Sequence, residues 1–293
     1  MADQFKHHYA QIHHAEIGEL RIHYVREGKG TPVILLHGWP GFWFDWHLNL
    51  GELARRFDVI APDLRGFGYS DKPDVAPEKG YTDEAHAADV MGLIGALKLG
   101  VVDIVAYDIG AIVAQSFALK YPRALRRLVL FDPPYPGIGM RWFDFAHIQE
   151  TWYQSFHQLP LAEELVGSSR RATELYIRHF LSHWSCDKNL FSDEEVAQYV
   201  EAFSQPGALR GGFNNYRAFR RAPTAALTPG WTIEHPTLVL WGDSDPIIPV
   251  AWSDNLKDYF KHLTFTKLDR CGHFCQREAP EIVNREIVGF LGT

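Results

Sequence analysis

The feature that most restricts this chain is a series of short apolar runs bounded by turn residues. Val33-Ile34-Leu35-Leu36 contains no polar residue, and Leu128-Val129-Leu130-Phe131 and Thr237-Leu238-Val239-Leu240-Trp241 nearly repeat the pattern. A run this short, without alternation, suits a strand covered on both faces, as inside a parallel sheet. Phe57–Pro62 and Val101–Tyr107 read as two further strands. Helical spacings lie between them. From Thr82, a plausible N-cap, apolar positions recur through Ala85, Ala88, Met91 and Leu93 to Leu99, and a second helix runs from about Gly110 to Tyr121, stopped by Pro122. Strands alternating with helices predict an α/β fold with a mostly parallel, doubly wound sheet.

The pattern breaks once. From about 137 to 228 no buried strand run occurs, and aromatic-rich helical patterns take over: Trp142–His157, Leu161–Leu181, Asp193–Phe203 and Phe213–Arg220. Strand patterns return at Thr237–Trp241 and Leu263–Leu268, followed by a last helix Ile282–Phe290. At 293 residues, the division expected is a core of 1–136 and 229–293 with a helical cap, 137–228, inserted between its halves. Earlier, Ala15–Gly28 alternates as a half-buried strand, and the histidines at 7, 8, 13 and 14 interleave with apolar residues as strand residues do.

A net charge of −7, with no Lys/Arg-rich block, argues against nucleic acid or an anionic membrane as partner. The three cysteines fit a reducing compartment better than a disulfide framework. No apolar leader or long apolar span is seen, so a cytoplasmic location is expected. The sequence admits a homodimer without specifying one.

The chemistry centres on Ala106-Tyr107-Asp108-Ile109-Gly110-Ala111, where a strand gives way to a helix. Small residues two places either side of Asp108 are what a strained nucleophile turn needs. An Asp that merely caps the following helix has the same local appearance. Context favours the nucleophile. His37-Gly38-Trp39-Pro40-Gly41 follows the third strand, where the Trp39 N–H and the Ile109 N–H could form an oxyanion hole. His273, in Cys271-Gly272-His273-Phe274, is the only histidine after the last predicted strand, and Asp245 precedes it by 28 residues in Trp241-Gly242-Asp243-Ser244-Asp245. A carboxylate there would hold the imidazole tautomer. The loop Asp63-Leu64-Arg65-Gly66-Phe67-Gly68 reads as structural, pinned by Arg65.

Taken together, HGWPG at 37–41, DLRGFGYSDKP at 63–73, YDIGA at 107–111, WGDSD at 241–245 and GHF at 272–274 resemble the epoxide hydrolase and haloalkane or haloacetate dehalogenase branch of the α/β-hydrolase superfamily. The resemblance implies an α/β-hydrolase fold and an alkyl ester on Asp108 that water, activated by His273, then hydrolyses. It leaves the triad acid open between Asp245, the more usual place, and Asp132, at the end of the strand after Asp108. An opening epoxide needs a proton donor, a role that phenols with pKa about 10 suit. Tyr153, in YQSFHQ, and Tyr216, in NYR, match the two cap tyrosines of the epoxide hydrolases. Dehalogenases remain the alternative, but the arginines that hold haloacetate are Ile109 and Ile112 here, which points to a small neutral organic substrate, an epoxide, with water as co-substrate. His37, Ile112 and Trp152 are expected to line its site. A non-catalytic ligand-binding protein on this fold would need none of these catalytic groups. His179 and His183 lack the further ligands of a metal site, and no nucleotide motif is present, so neither metal nor organic cofactor is expected.

Overall fold

The computed structural model describes residues 5–221 and 231–293, so the expected end of the insertion at 228 lies outside the described residues. One sheet contains β1 (His7–His14), β2 (Gly18–Gly28), β3 (Thr31–Leu36), β4 (Phe57–Pro62), β5 (Val102–Tyr107), β6 (Leu125–Phe131), β7 (Ile233–Gly242) and β8 (Phe260–Leu268). Their order is β1-β2-β4-β3-β5-β6-β7-β8. β2 pairs antiparallel with β1 and β4, and all the other neighbours are parallel. The apolar runs are the buried middle of this sheet: Val33–Leu36, Leu128–Phe131 and Val239–Trp241 are wholly inaccessible to solvent.

Twelve α-helices accompany it among the described residues: α1 (His47–Leu53), α2 (Pro77–Gly80), α3 (Asp83–Leu97), α4 (Asp108–Lys120), α5 (Ile148–Phe156), α6 (Pro160–Gly167), α7 (Arg170–His183), α8 (Asp193–Phe203), α9 (Ala208–Arg221), α10 (Leu256–Tyr259), α11 (Cys275–Glu278) and α12 (Pro280–Leu291). Thr82 caps α3 as expected, accepting the Ala85 N–H. The expected helix Leu161–Leu181 is two, α6 and α7. Ser169 takes the Ala172 N–H and starts a new helix after Gly167-Ser168, residues that favour a cap over a helix interior. Likewise Trp142–His157 divides into a 3₁₀ segment, Pro136–Phe143, and α5.

Between β6 and β7 the described chain is helical, α5 to α9, and it shares a hydrophobic core with the sheet. Trp39, from the loop after β3, is the hinge of that packing, with ring centroids 5.8 Å from Phe180, 5.0 Å from Phe203 and 5.6 Å from Phe213. The chain runs from β3 to β4 on one side of β3 and then to β5 on the other. Loops at such a reversal part and leave a crevice beyond the strand ends, where ligands of open α/β sheets bind.

Candidate active site

Asp108 is the first residue of α4, with φ of +50°, a left-handed conformation that a side chain rarely adopts. Close packing enforces it. A Cβ on Gly38 would fall 2.3 Å from the Asp108 Cβ, and one on Gly110 would fall 2.5 Å from the carbonyl oxygens of Leu36 and His37. Asp108 is not the residue that caps the helix. Its Oδ1 instead accepts the Trp39 N–H at 2.6 Å. The Ile109 N–H, in the first turn of α4, has no acceptor within the helix.

His273 is fully buried, with its own N–H donating to the Trp184 carbonyl at 2.9 Å. Nδ1 stands 2.8 Å from Asp245 Oδ2, and Nε2 stands 3.5 Å from Asp108 Oδ2, a charge contact rather than a tight hydrogen bond. Asp245 is fixed in turn, its Oδ1 accepting the Ile247 and Ile248 N–H groups at 2.7 and 3.1 Å. Burial would push His273 down, but the carboxylates of Asp245 and Asp108 on either side outweigh it and hold the imidazole well above its ordinary range. Asp132 does not reach His273 by hydrogen bond. Its oxygens accept the Gly242 N–H at 2.7 Å and the Cys275 thiol at 3.3 Å.

The helical layer supplies the roof. Tyr153 of α5 and Tyr216 of α9 are buried, their ring centroids 5.5 Å apart. Burial and the negative charge of Asp108 push the Tyr153 phenol up, and burial, Tyr153 and Asp108 do the same to Tyr216. Both phenols therefore keep their protons at neutral pH.

Comparison with known proteins gives the family. Residues 31–280 match the family described as alpha/beta hydrolase fold. Over 280 residues the chain is 32% identical to the soluble epoxide hydrolase of Corynebacterium sp. (strain C12), covering 92% of this chain and 93% of that one. It is also 32% identical over 283 residues to epoxide hydrolase 4 of Mus musculus, covering 93% of this chain and 76% of the relative. The solved structure of epoxide hydrolase CorEH without ligand superposes with a TM-score of 0.85 at 30% identity, covering 98% of this chain and 99% of that one. The chain belongs to the α/β-hydrolase family, on its epoxide hydrolase branch.

Two residues expected to line the substrate site of this hydrolase are placed otherwise. His37 is fully buried and both of its nitrogens are occupied by backbone: Nδ1 lies 3.0 Å from the Gly38 carbonyl, and Nε2 accepts the Leu64 N–H at 2.9 Å. It ties the loop after β3 to the loop after β4, and burial pushes it down towards the neutral form that can do so. Trp152 is 41% exposed and stacks on Phe180 one layer outside Tyr153, because successive residues of a helix point about 100° apart. Ile112, one turn beyond Asp108 on α4, is half-buried on the same face. His179 and His183 stack on one another, and His183 is paired with Glu150 at 2.6 Å. No cluster of three metal-ligating side chains exists among the described residues, and no helix among them is long and apolar enough to cross a membrane.

Other residues went unnoticed in the sequence. His157, four residues after Tyr153, is completely buried; Nε2 lies 2.8 Å from the Tyr176 hydroxyl and its ring packs 4.5 Å from that of Tyr216. Beside β5, Asp45 accepts the hydroxyls of Tyr107 and Tyr199, and Arg277 joins Tyr199 to Glu195 of α8. An Asp amid Trp43-Phe44-Asp45-Trp46, and a Tyr directly before Asp108, were the available signal.

Proposed function

We propose that this hydrolase opens an epoxide to a vicinal diol through an ester on Asp108. The reading rests on one observation: the Asp108 carboxylate lies between the Trp39 N–H, at 2.6 Å, and His273 Nε2, at 3.5 Å, with the buried phenols of Tyr153 and Tyr216 close enough to feel its charge. No serine chemistry is available at this turn. A carboxylate attacks sp³ carbon, and the departing oxygen, unlike a halide, must take a proton. The helices between β6 and β7 act as the cap that brings the donors.

In the first step an Asp108 oxygen bonds to an epoxide carbon, that C–O bond breaks, and its electron pair takes the proton of Tyr153 or Tyr216. Esterification removes the charge of Asp108. One of the two carboxylates that held the His273 proton is then gone, so the imidazolium gives up that proton, which restores the phenol deprotonated in ring opening, and the neutral imidazole can act as base. His273 takes a proton from water, the hydroxide attacks the Asp108 carbonyl carbon, and the Trp39 and Ile109 N–H groups receive the developing oxyanion. Collapse releases the alcohol oxygen, which takes the imidazolium proton, and the proton left on the Asp108 carboxyl then passes to His273, restoring the starting imidazolium and carboxylate. Asp245 keeps the imidazole oriented throughout.

The test is single turnover with styrene-oxide-type epoxides in H₂¹⁸O. Label is expected in Asp108 and not in the diol, whose new oxygen is the one Asp108 supplied. Diol without label in Asp108 would mean direct attack of water and sink the ester, and halide release from haloacetate outrunning diol formation would move the chain to dehalogenation.

A further inference from the structure

Asp132 stands where sequence reasoning places a second candidate for the triad acid, yet its contacts serve a different purpose. Its backbone is left-handed, φ +39°, and its N–H is spent on the Leu240 carbonyl at 3.1 Å. One carboxyl oxygen takes the N–H of Gly242, three residues before Asp245; the other takes the thiol of Cys275, two residues after His273. The two donors come from different strand ends, β7 and the segment beyond β8, and Asp132 belongs to a third, β6. We propose that Asp132 is a positioning residue that ties the Asp245 loop to the His273 segment and so fixes the imidazole over the ester carbonyl. The proposal rests on the reading of His273 as the base of ester hydrolysis.

Burial, and then the charge of nearby Asp245, push Asp132 well up, which suits a side chain that serves as a hydrogen-bonded tie. The ring-opening groups, Asp108, Tyr153 and Tyr216, sit on other elements and make none of these contacts. Loosening the tie should therefore slow the water step and spare alkylation. Groups that orient a reacting side chain typically matter by about 10–100-fold, and misplacement by an ångström costs about 100-fold.

Rapid-quench mass spectrometry with an epoxide substrate separates the two steps. In Asp132→Ala, kcat should fall about 10–100-fold, with most of the enzyme standing as the alkyl ester and the rate of ester formation close to wild type. Asp132→Asn keeps an oxygen for Gly242 and a polar group for Cys275, and should recover kcat to within a few-fold. An Asn variant as slow as the Ala variant would show that charge matters and the ties do not. An Ala variant with unchanged kcat and no standing ester would also overturn the proposal. If Asp132→Ala fails to fold, Cys275→Ala against Cys275→Ser repeats the question from the donor side: the alanine should slow ester hydrolysis several-fold and the serine should not, and equal rates would defeat the tie. Should the wild type give neither ester nor diol with any epoxide, the hydrolase reading itself falls.

Discussion

Polar groups at the strand ends and polar groups in the helical layer above them are held in different ways. At the strand ends many of the holders are backbone N–H groups: Trp39 for Asp108, Ile247 and Ile248 for Asp245, Leu64 for His37, and Trp43 and Tyr69 for Asp63, with the side chains of His273 on Asp245 and His23 on Asp63 beside them. In the helical layer other side chains carry more of it: Tyr176 for His157, Glu150 for His183, and Arg277, alongside the Ser192 N–H, for Glu195. The first kind of geometry is fixed by a few consecutive residues and a strand register. The second depends on how separate helices pack. The proposed chemistry would divide along the same line, with nucleophile, base and oxyanion donors below and proton donors above.

Removing the base tests the lower region hardest. His273→Gln should reduce multiple-turnover diol formation by about 10³-fold or more, while the alkyl ester on Asp108 accumulates to stoichiometry. Asp108→Asn should give neither ester nor diol. Equal ester levels in the two variants would break the division of labour.

The lower region can also be probed through stability. Arg65 is wholly buried and grips Asp89 with two hydrogen bonds of 2.8 and 2.6 Å while donating to the Gly80 and Ala85 carbonyls. Arg65→Met leaves Asp89 buried and unpaired, a loss of about 3–5 kcal/mol by denaturant unfolding. Arg65→Met with Asp89→Leu should recover much of it, because the deficit comes from the orphaned charge. No recovery would mean that the contacts to the carbonyls dominate.

The upper region should respond more mildly. Tyr153→Phe and Tyr216→Phe should each slow ester formation by about 10²-fold, with ester hydrolysis little changed. The opposite pattern, slow hydrolysis with normal ring opening, would mean that the helical layer serves the water step instead.

How much was legible follows the same line. The sheet, the Asp108 turn, the loop of Trp39, and Asp245 and His273 each lie in a short motif whose geometry is local, and the structure brings the Trp39 N–H to Asp108 and Asp245 to His273. Tyr153 and Tyr216 were legible through resemblance and not from periodicity, since nothing in helical spacing says which tyrosine faces a carboxylate 45 or 108 residues away in sequence. Trp152 shows the limit: one residue along the helix is enough to turn a ring outward. His37 was misjudged because burial and two backbone partners, invisible in a string of letters, leave it nothing for a ligand. Asp45 and His157 are held by partners that no local motif names, and only packing reveals them.

Asp45 joins the two regions and gives a test read from pH dependence alone. Burial pushes its carboxyl up to about 7, against the lowering effect of the Tyr107 and Tyr199 hydroxyls and Arg277. Between about pH 4 and 7 the folded protein then holds a proton that the unfolded chain has released, so folding stability from this group is full below pH 4 and declines as pH rises through 7. His47, pushed down to about 4 chiefly by burial, acts in reverse and weakens the fold as pH falls below its ordinary value of 6.5. Both proteins of a pair share that second effect, so the difference between wild type and Asp45→Asn isolates the first. Relative to the variant, the wild type should lose stability as pH is raised from 4 to 7, with a slope of up to about 1.4 kcal/mol per pH unit. Parallel denaturation profiles across that range would mean that the two phenols and Arg277 keep Asp45 ionised, and that the helical layer is fastened to the sheet by a charge that does not titrate.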